Sequence, residues 1–146
     1  HFGGAGRRFE TVGTVRGVTI IDDYAHHPTE IKATLTSAKN YPHKKTWCIF
    51  QPHTYTRTKA LFDEFAEVLK KPDVTFLAQI FAARETNEVG ISSDDLAAAI
   101  PGAKAAANFA QLTDWLYDMA QPGDLILTVG AGDVYKSAER LVARKD

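Results

Sequence analysis

The sequence predicts an α/β domain: an open, mostly parallel sheet with helices on both faces and one antiparallel edge strand. Three observations predict it. Five short runs rich in β-branched and aromatic residues are apolar almost throughout instead of alternating, the pattern of strands covered on both faces. Segments with helical spacing separate most of these runs, and short connections between alternating strands and helices favour a parallel sheet. The 146 residues, 45% hydrophobic and 24% charged, suffice for one ordinary domain with a two-sided core, here taken as residues 1–146.

Each element has its own signal. "TVGTV" (11–15) and "VTIID" (18–22) read as strands joined by a hairpin turn at Arg16 and Gly17, which makes 11–15 the antiparallel edge. Pro28 opens a helix as a first-turn proline; Thr29 and Glu30 supply an acceptor and a negative charge there, and Ile31, Leu35 and Ala38 share one face. "TWCIF" (46–50) is the next strand. "TYTRT" reads as a turn before a helix marked by Leu61, Phe62, Phe65, Val68 and Leu69. After the strand "VTFLAQI" (74–80), the polar, glycine-bearing loop 81–91 is the segment best suited to be a mobile lid. "SDDL", around Ser92 to Leu96, and Asn108 with Gln111 mark two helix starts. "LILTV" (125–129) is the last strand, and a helix over about 134–144 follows "GAGD".

Composition removes several classes of function. A net charge of -1 and a sequence pI of about 6.6 leave no electrostatic footprint for nucleic acid or an acidic membrane surface. No apolar run approaches the roughly 20 residues of a membrane span. The single cysteine, Cys48, lies in "TWCIF" and reads as a small buried hydrophobe; one unpaired cysteine without a signal peptide fits a reducing, cytoplasmic setting. The chain opens at His1 without an initiator methionine, so a longer parent is expected.

In an open parallel sheet, ligands bind beyond the carboxyl ends of the strands. That rule gathers "DDYAHHPTE", "QPHTYTRT", "FAARE" and "GAGD" on one rim. Taken singly, each has a plain structural reading. The histidine pair can serve a helix start, "RTK" (57–59) a solvated first turn, and "ARETNE" an ordinary charged loop. "GAG" (130–132) lacks the third glycine of a dinucleotide fingerprint and suits a tight strand-to-helix turn. His26, His27, His53 and Cys48 have no zinc-site spacing, and no metal ligand is expected. Their convergence on one rim is what argues for a ligand site.

Two stretches are more specific. "TIIDDYAHHPTEI" followed by "IFQPHTYTRT" resembles the C-terminal domain of the Mur ligases, and "GAGRRFE", "FAARE" and "GDLILTVGAGDVY" extend the resemblance over essentially the whole chain. The resemblance implies a Rossmann-like fold and an ATP-dependent amide synthesis in peptidoglycan assembly. It points to the branch that joins L-alanine to UDP-N-acetylmuramate through an acyl phosphate. It further implies two partner domains, one for the UDP-sugar and one for ATP. The sequence has no G-x-x-x-x-G-K-[ST] loop, so ATP and magnesium are expected to act in the longer enzyme, with neither tightly bound here and no catalytic residue in this chain.

By the same resemblance Arg8 approaches the nucleotide phosphates, and Asp23, with Asp22 as a substitute, accepts from ribose hydroxyls. Tyr24, His26, His27 and His53 face the amino-acid pocket. Arg57 is assigned to the alanine carboxylate, because a guanidinium fork matches a carboxylate bidentately. Many relatives carry an arginine where this chain has Thr54, which leaves Arg57 with more of that task. The alternatives are the relative that recycles murein tripeptide and a non-catalytic amino-acid or nucleotide-binding module. A flavodoxin-like electron carrier is disfavoured, since no flavin phosphate loop is recognisable.

Overall fold

Among the described residues six strands form one sheet: β1 (Glu10–Val15), β2 (Val18–Asp23), β3 (Thr46–Phe50), β4 (Val74–Leu77), β5 (Lys104–Ala105) and β6 (Leu125–Val129), in the order β1-β2-β6-β3-β4-β5. The computed structural model describes residues 8–144; Gly4 to Arg7 of "GAGRRFE" lie outside the described residues. All neighbouring strands run parallel except β1 and β2. The helices are α1 (Pro28–Lys39), α2 (Tyr55–Ala60), α3 (Phe62–Val68), α4 (Ser93–Ala98), α5 (Phe109–Met119) and α6 (Tyr135–Ala143).

The continuous apolar strands serve two cores at once, because successive side chains point to opposite faces. In β6, Leu125, Leu127 and Val129 pack on one side with Cys48 and Phe50 of β3, whereas Ile126 packs on the other with Trp47 and Ile49. The first face is covered by α1, α3 and α4 through Ile31, Leu35, Phe65 and Leu96. The second is covered by α5 and α6 through Leu112, Leu116, Ala138 and Leu141. Cys48 is fully buried, and burial pushes its thiol up to about 12, so it acts as core packing.

The hairpin between β1 and β2 turns through Arg16 and Gly17, both with positive φ (49° and 81°), the geometry that matches the twist of paired strands. Two sequence expectations are corrected, one strand was not expected, and one loop is described more closely. β4 ends at Leu77 and not at residue 80: its partner β3 ends at Phe50, and the Ser93 hydroxyl donates to the Ala78 carbonyl at 2.6 Å just beyond. The two-residue β5 has no counterpart among the expected strands, since a pair of residues shows no periodicity. "TYTRT" is largely helix α2, separated from α3 by a break at Leu61. Loop 81–91, the expected mobile lid, is bonded to the rim at its start and within itself. Phe81 forms a bridge with His53, and Asn87 exchanges side-chain bonds with both the amide and the carbonyl of Ile91 (3.1 and 2.8 Å).

The segment after β3 leads to helices on the first face, and the one after β6 leads to α6 on the second. These two strands are neighbours, so their connections diverge and open a crevice at the carboxyl rim.

Candidate functional site

The β2 end comes first. Asp23 is 4% exposed; its Oδ1 accepts from the Ala25 amide (2.9 Å) and its Oδ2 from the Phe9 amide (3.1 Å). The Arg8 guanidinium lies 3.7 Å from Asp23 Oδ1 and 3.5 Å from Glu30 Oε2. Asp22 is buried between β2 and β6, where its Oδ1 accepts from the Thr128 hydroxyl at 2.6 Å. Neither carboxylate stands open on the rim toward a ribose. Asp23 instead ties the chain at Phe9 to the strand end and so braces Arg8.

The start of α1 is closed by a reciprocal cap. Nδ1 of His27 accepts from the Thr29 amide at 3.2 Å, while Glu30 Oε1 accepts from the His26 and His27 amides, both at 3.1 Å. Burial alone would raise the Glu30 carboxyl, but these two backbone bonds, with His26 and Arg8 nearby, hold it below its ordinary range. The exposed His27 is thus a helix cap.

The remaining rim residues form a row. Tyr24 meets the His26 ring edge-on (centroids 5.4 Å apart), His26 lies 5.9 Å from His53, and His53 stacks on Phe81 at 5.4 Å. Arg57 Nη1 donates to His53 Nδ1 at 3.3 Å. Burial, then the Arg57 cation, then His26 lower the His53 pKa from its ordinary value near 6.5, so the ring is neutral at pH 7 and its proton sits on Nε2. A guanidinium backed by a neutral ring keeps its positive charge available to an incoming anion.

Backbone geometry sets this row. Thr54 has φ 67° and ψ 148°, an unusual conformation for a β-branched residue, and a net of bonds holds it there. Its amide donates to the Phe81 carbonyl (2.8 Å), its carbonyl accepts from the Thr58 hydroxyl (2.6 Å), and its own hydroxyl accepts from the Arg57 amide (3.3 Å).

Sequence reading passed over the residues that hold the crevice between β3 and β6. Gln51, 4% exposed, donates to Asp133 Oδ1 (2.8 Å) and accepts from the Asp133 amide (2.9 Å), locking the two diverging connections together. A Cβ at Gly132 would lie 2.6 Å from both Gln51 Oε1 and Phe81 Cγ, so the second glycine of "GAG" is required by close approach. The available signal was a glutamine directly after the apolar run "TWCIF". Beside this lock, Gln51, Gln79, Phe81, Asn108, Phe109 and Asp133 line a concavity of about 320 Å³. Among the described residues no cluster of three or more His, Cys, Asp or Glu could hold a metal ion, and no helix is long and apolar enough to cross a membrane.

Residues 7–132 match the family model described as Mur ligase, glutamate ligase domain. The chain is similar to the UDP-N-acetylmuramate--L-alanine ligases of Lachnospira eligens (52% identity over 146 residues, 97% of this chain) and Alkaliphilus metalliredigens (48% over 148 residues, 99% of this chain). It spans 32% of each, about a third of the length of the curated relatives it matches. Among solved structures it is similar to UDP-N-acetylmuramate-alanine ligase MurC from Thermotoga maritima, with TM-score 0.72 and 28% identity over 94% of this chain and 29% of that one. A murein peptide ligase from Psychrobacter arcticus shares the fold at TM-score 0.73, with 23% identity over 94% of this chain and 29% of that one. The sequence motifs, the sheet order and these matches agree: the chain belongs to the Mur ligase C-terminal domain family.

Proposed function

We propose that this chain is the amino-acid-presenting domain of an ATP-dependent ligase that joins L-alanine to UDP-N-acetylmuramate through an acyl phosphate. The observation that carries this reading is the row of Tyr24, His26, His53 and Arg57 on the carboxyl rim, with a charged guanidinium at its end. Arg57 takes the alanine carboxylate, and the rings of His53 and His26 line the space beside it. The amine is thereby held for attack on the acyl carbon. Hydrolysis competes with that attack, so presentation must exclude water.

The sugar and ATP belong to two further domains of the longer polypeptide. A separate domain that closes late assembles the site only when every substrate is bound. Arg8, whose side chain is 54% exposed and braced by Asp23 and Glu30, suits the nucleotide phosphates. The rim carboxylates Asp23 and Glu30 are committed to backbone amides, a poor donor set for magnesium, which is accordingly assigned to the ATP-binding domain. Free alanine is favoured over the peptide of the recycling relative because the relatives at about half identity are named for alanine.

The test is an assay of the longer polypeptide that contains this chain. Phosphate release should require UDP-N-acetylmuramate and L-alanine together, and the muramoyl-alanine product should appear in equal amount. Turnover with a murein tripeptide in place of alanine would transfer the chain to the recycling branch.

A further inference from the structure

We propose that Glu85 is a positioning residue for the amino-acid carboxylate: it fixes the start of α2, and with it Arg57. This rests on the reading that Arg57 takes that carboxylate. The helix has only six residues, and its cap Thr54 satisfies a single amide, that of Arg57. Glu85 supplies the rest. Its Oε1 accepts from the amides of Tyr55 (2.8 Å) and Thr56 (3.1 Å), and its Oε2 accepts from the Thr56 hydroxyl. Three donors from the two residues preceding Arg57 therefore converge on one carboxylate that arrives from another loop. These bonds, the Thr56 hydroxyl foremost, keep the Glu85 carboxyl below its ordinary range, so it is an anion at neutral pH.

The same loop also governs the other end of Arg57. Phe81 is joined to Pro52 and Thr54 through backbone bonds of 2.8 Å each, and its ring backs His53, which accepts from the guanidinium. Arg57 is thus fixed at its backbone by Glu85 and at its tip by His53. Glu85 belongs to neither apolar core. Small displacements of a forked donor pair are costly to orientation, which makes the brace a determinant of binding geometry.

The experiment is steady-state kinetics on the longer ligase carrying Glu85→Gln, a near-isosteric change, alone and combined with Arg57→Ala. Glu85→Gln should raise the KM for L-alanine by about fivefold or more and leave the KM for ATP within about twofold. In the Arg57→Ala background it should add almost nothing, because a residue acting through Arg57 has nothing left to position. Thr56→Val, which removes only the hydroxyl donor, should give a smaller rise. If Arg57→Ala raises the alanine KM and Glu85→Gln leaves it unchanged, the positioning role is overturned while the carboxylate reading stands. Equal Glu85→Gln effects in both backgrounds would also overturn it. An Arg57→Ala variant with the unaltered alanine KM would overturn both.

Discussion

The loops after β2 and β3 deliver charge to the same rim but commit it differently. In the first, Asp23 and Glu30 turn their carboxylates inward, each accepting from two backbone amides. In the second, backbone groups and hydroxyls satisfy one another around Thr54, and the Arg57 guanidinium is left with a neutral ring as its neighbour. The first arrangement builds the rim, and the second offers a charge to a ligand. Substitutions in the first should therefore appear mainly in stability, and substitutions in the second mainly in substrate constants.

Asp23→Ala is the strongest way to break this contrast. It orphans two amides and removes a partner of Arg8, and hydrogen bonds to a buried charged group contribute about 1.5 to 3 kcal/mol each. Unfolding in urea should show a loss of about 3 kcal/mol or more. A loss under about 0.5 kcal/mol would mean that Asp23 is free to serve a ligand after all.

Gly132→Ala probes the lock between the loops. The added Cβ would meet Gln51 and Phe81 at 2.6 Å, so the variant must shift the stacked His53 ring or part Gln51 from Asp133. Destabilisation of about 1 to 3 kcal/mol is expected, the usual range for overpacking. Retained stability in a melting experiment would show that the crevice is looser than drawn.

His27→Ala should cost about 1 kcal/mol, the ordinary value of a lost helix cap, and leave alanine use unchanged. A raised KM for alanine with unchanged melting would move His27 from the cap to the ligand pocket.

The smallest effect is electrostatic. His53 has a lowered pKa in the folded chain, so below about 6.5 the unfolded chain binds the proton first. Its contribution to stability is complete above that value and is lost as pH falls through the window beneath it. Burial is the first cause and the Arg57 cation the second, so Arg57→Ala should move the His53 titration upward, measured from its ring proton shifts. An unmoved or lowered midpoint would contradict the contact.

Physical locality decided what could be read from the sequence. The core strands were legible because "TWCIF" and "LILTV" are apolar along their length, and the rim followed from their direction. The same rule put the segments that carry Tyr24, His26, His27, His53 and Arg57 on one rim, and their assignment to a common pocket came from the family resemblance. What escaped depends on distant partners. The acceptance of the Phe9 amide by Asp23 joins residues fourteen apart, and the start of α2 is satisfied by Glu85, about thirty residues away. "TYTRT" has no apolar periodicity to mark it as helix, and its helical turn is held from outside. The capping role of His27 is the helix-start reading that the histidine pair offered, and Glu30, expected as a negative charge in the first turn, closes the cap three residues later.

The central claim is that the guanidinium of Arg57 is the part of the rim held for a carboxylate. It is tested most directly by the alanine KM of the longer ligase carrying Arg57→Ala or Arg57→Lys. Both should raise it by about tenfold or more and leave the ATP constant within about twofold, because an ammonium cannot reproduce two parallel hydrogen bonds in fixed geometry. Thr54→Arg, supplying the charge that the family resemblance leads one to expect there, should recover part of the loss in Arg57→Lys. An Arg57→Ala enzyme with the original alanine constant would contradict the account.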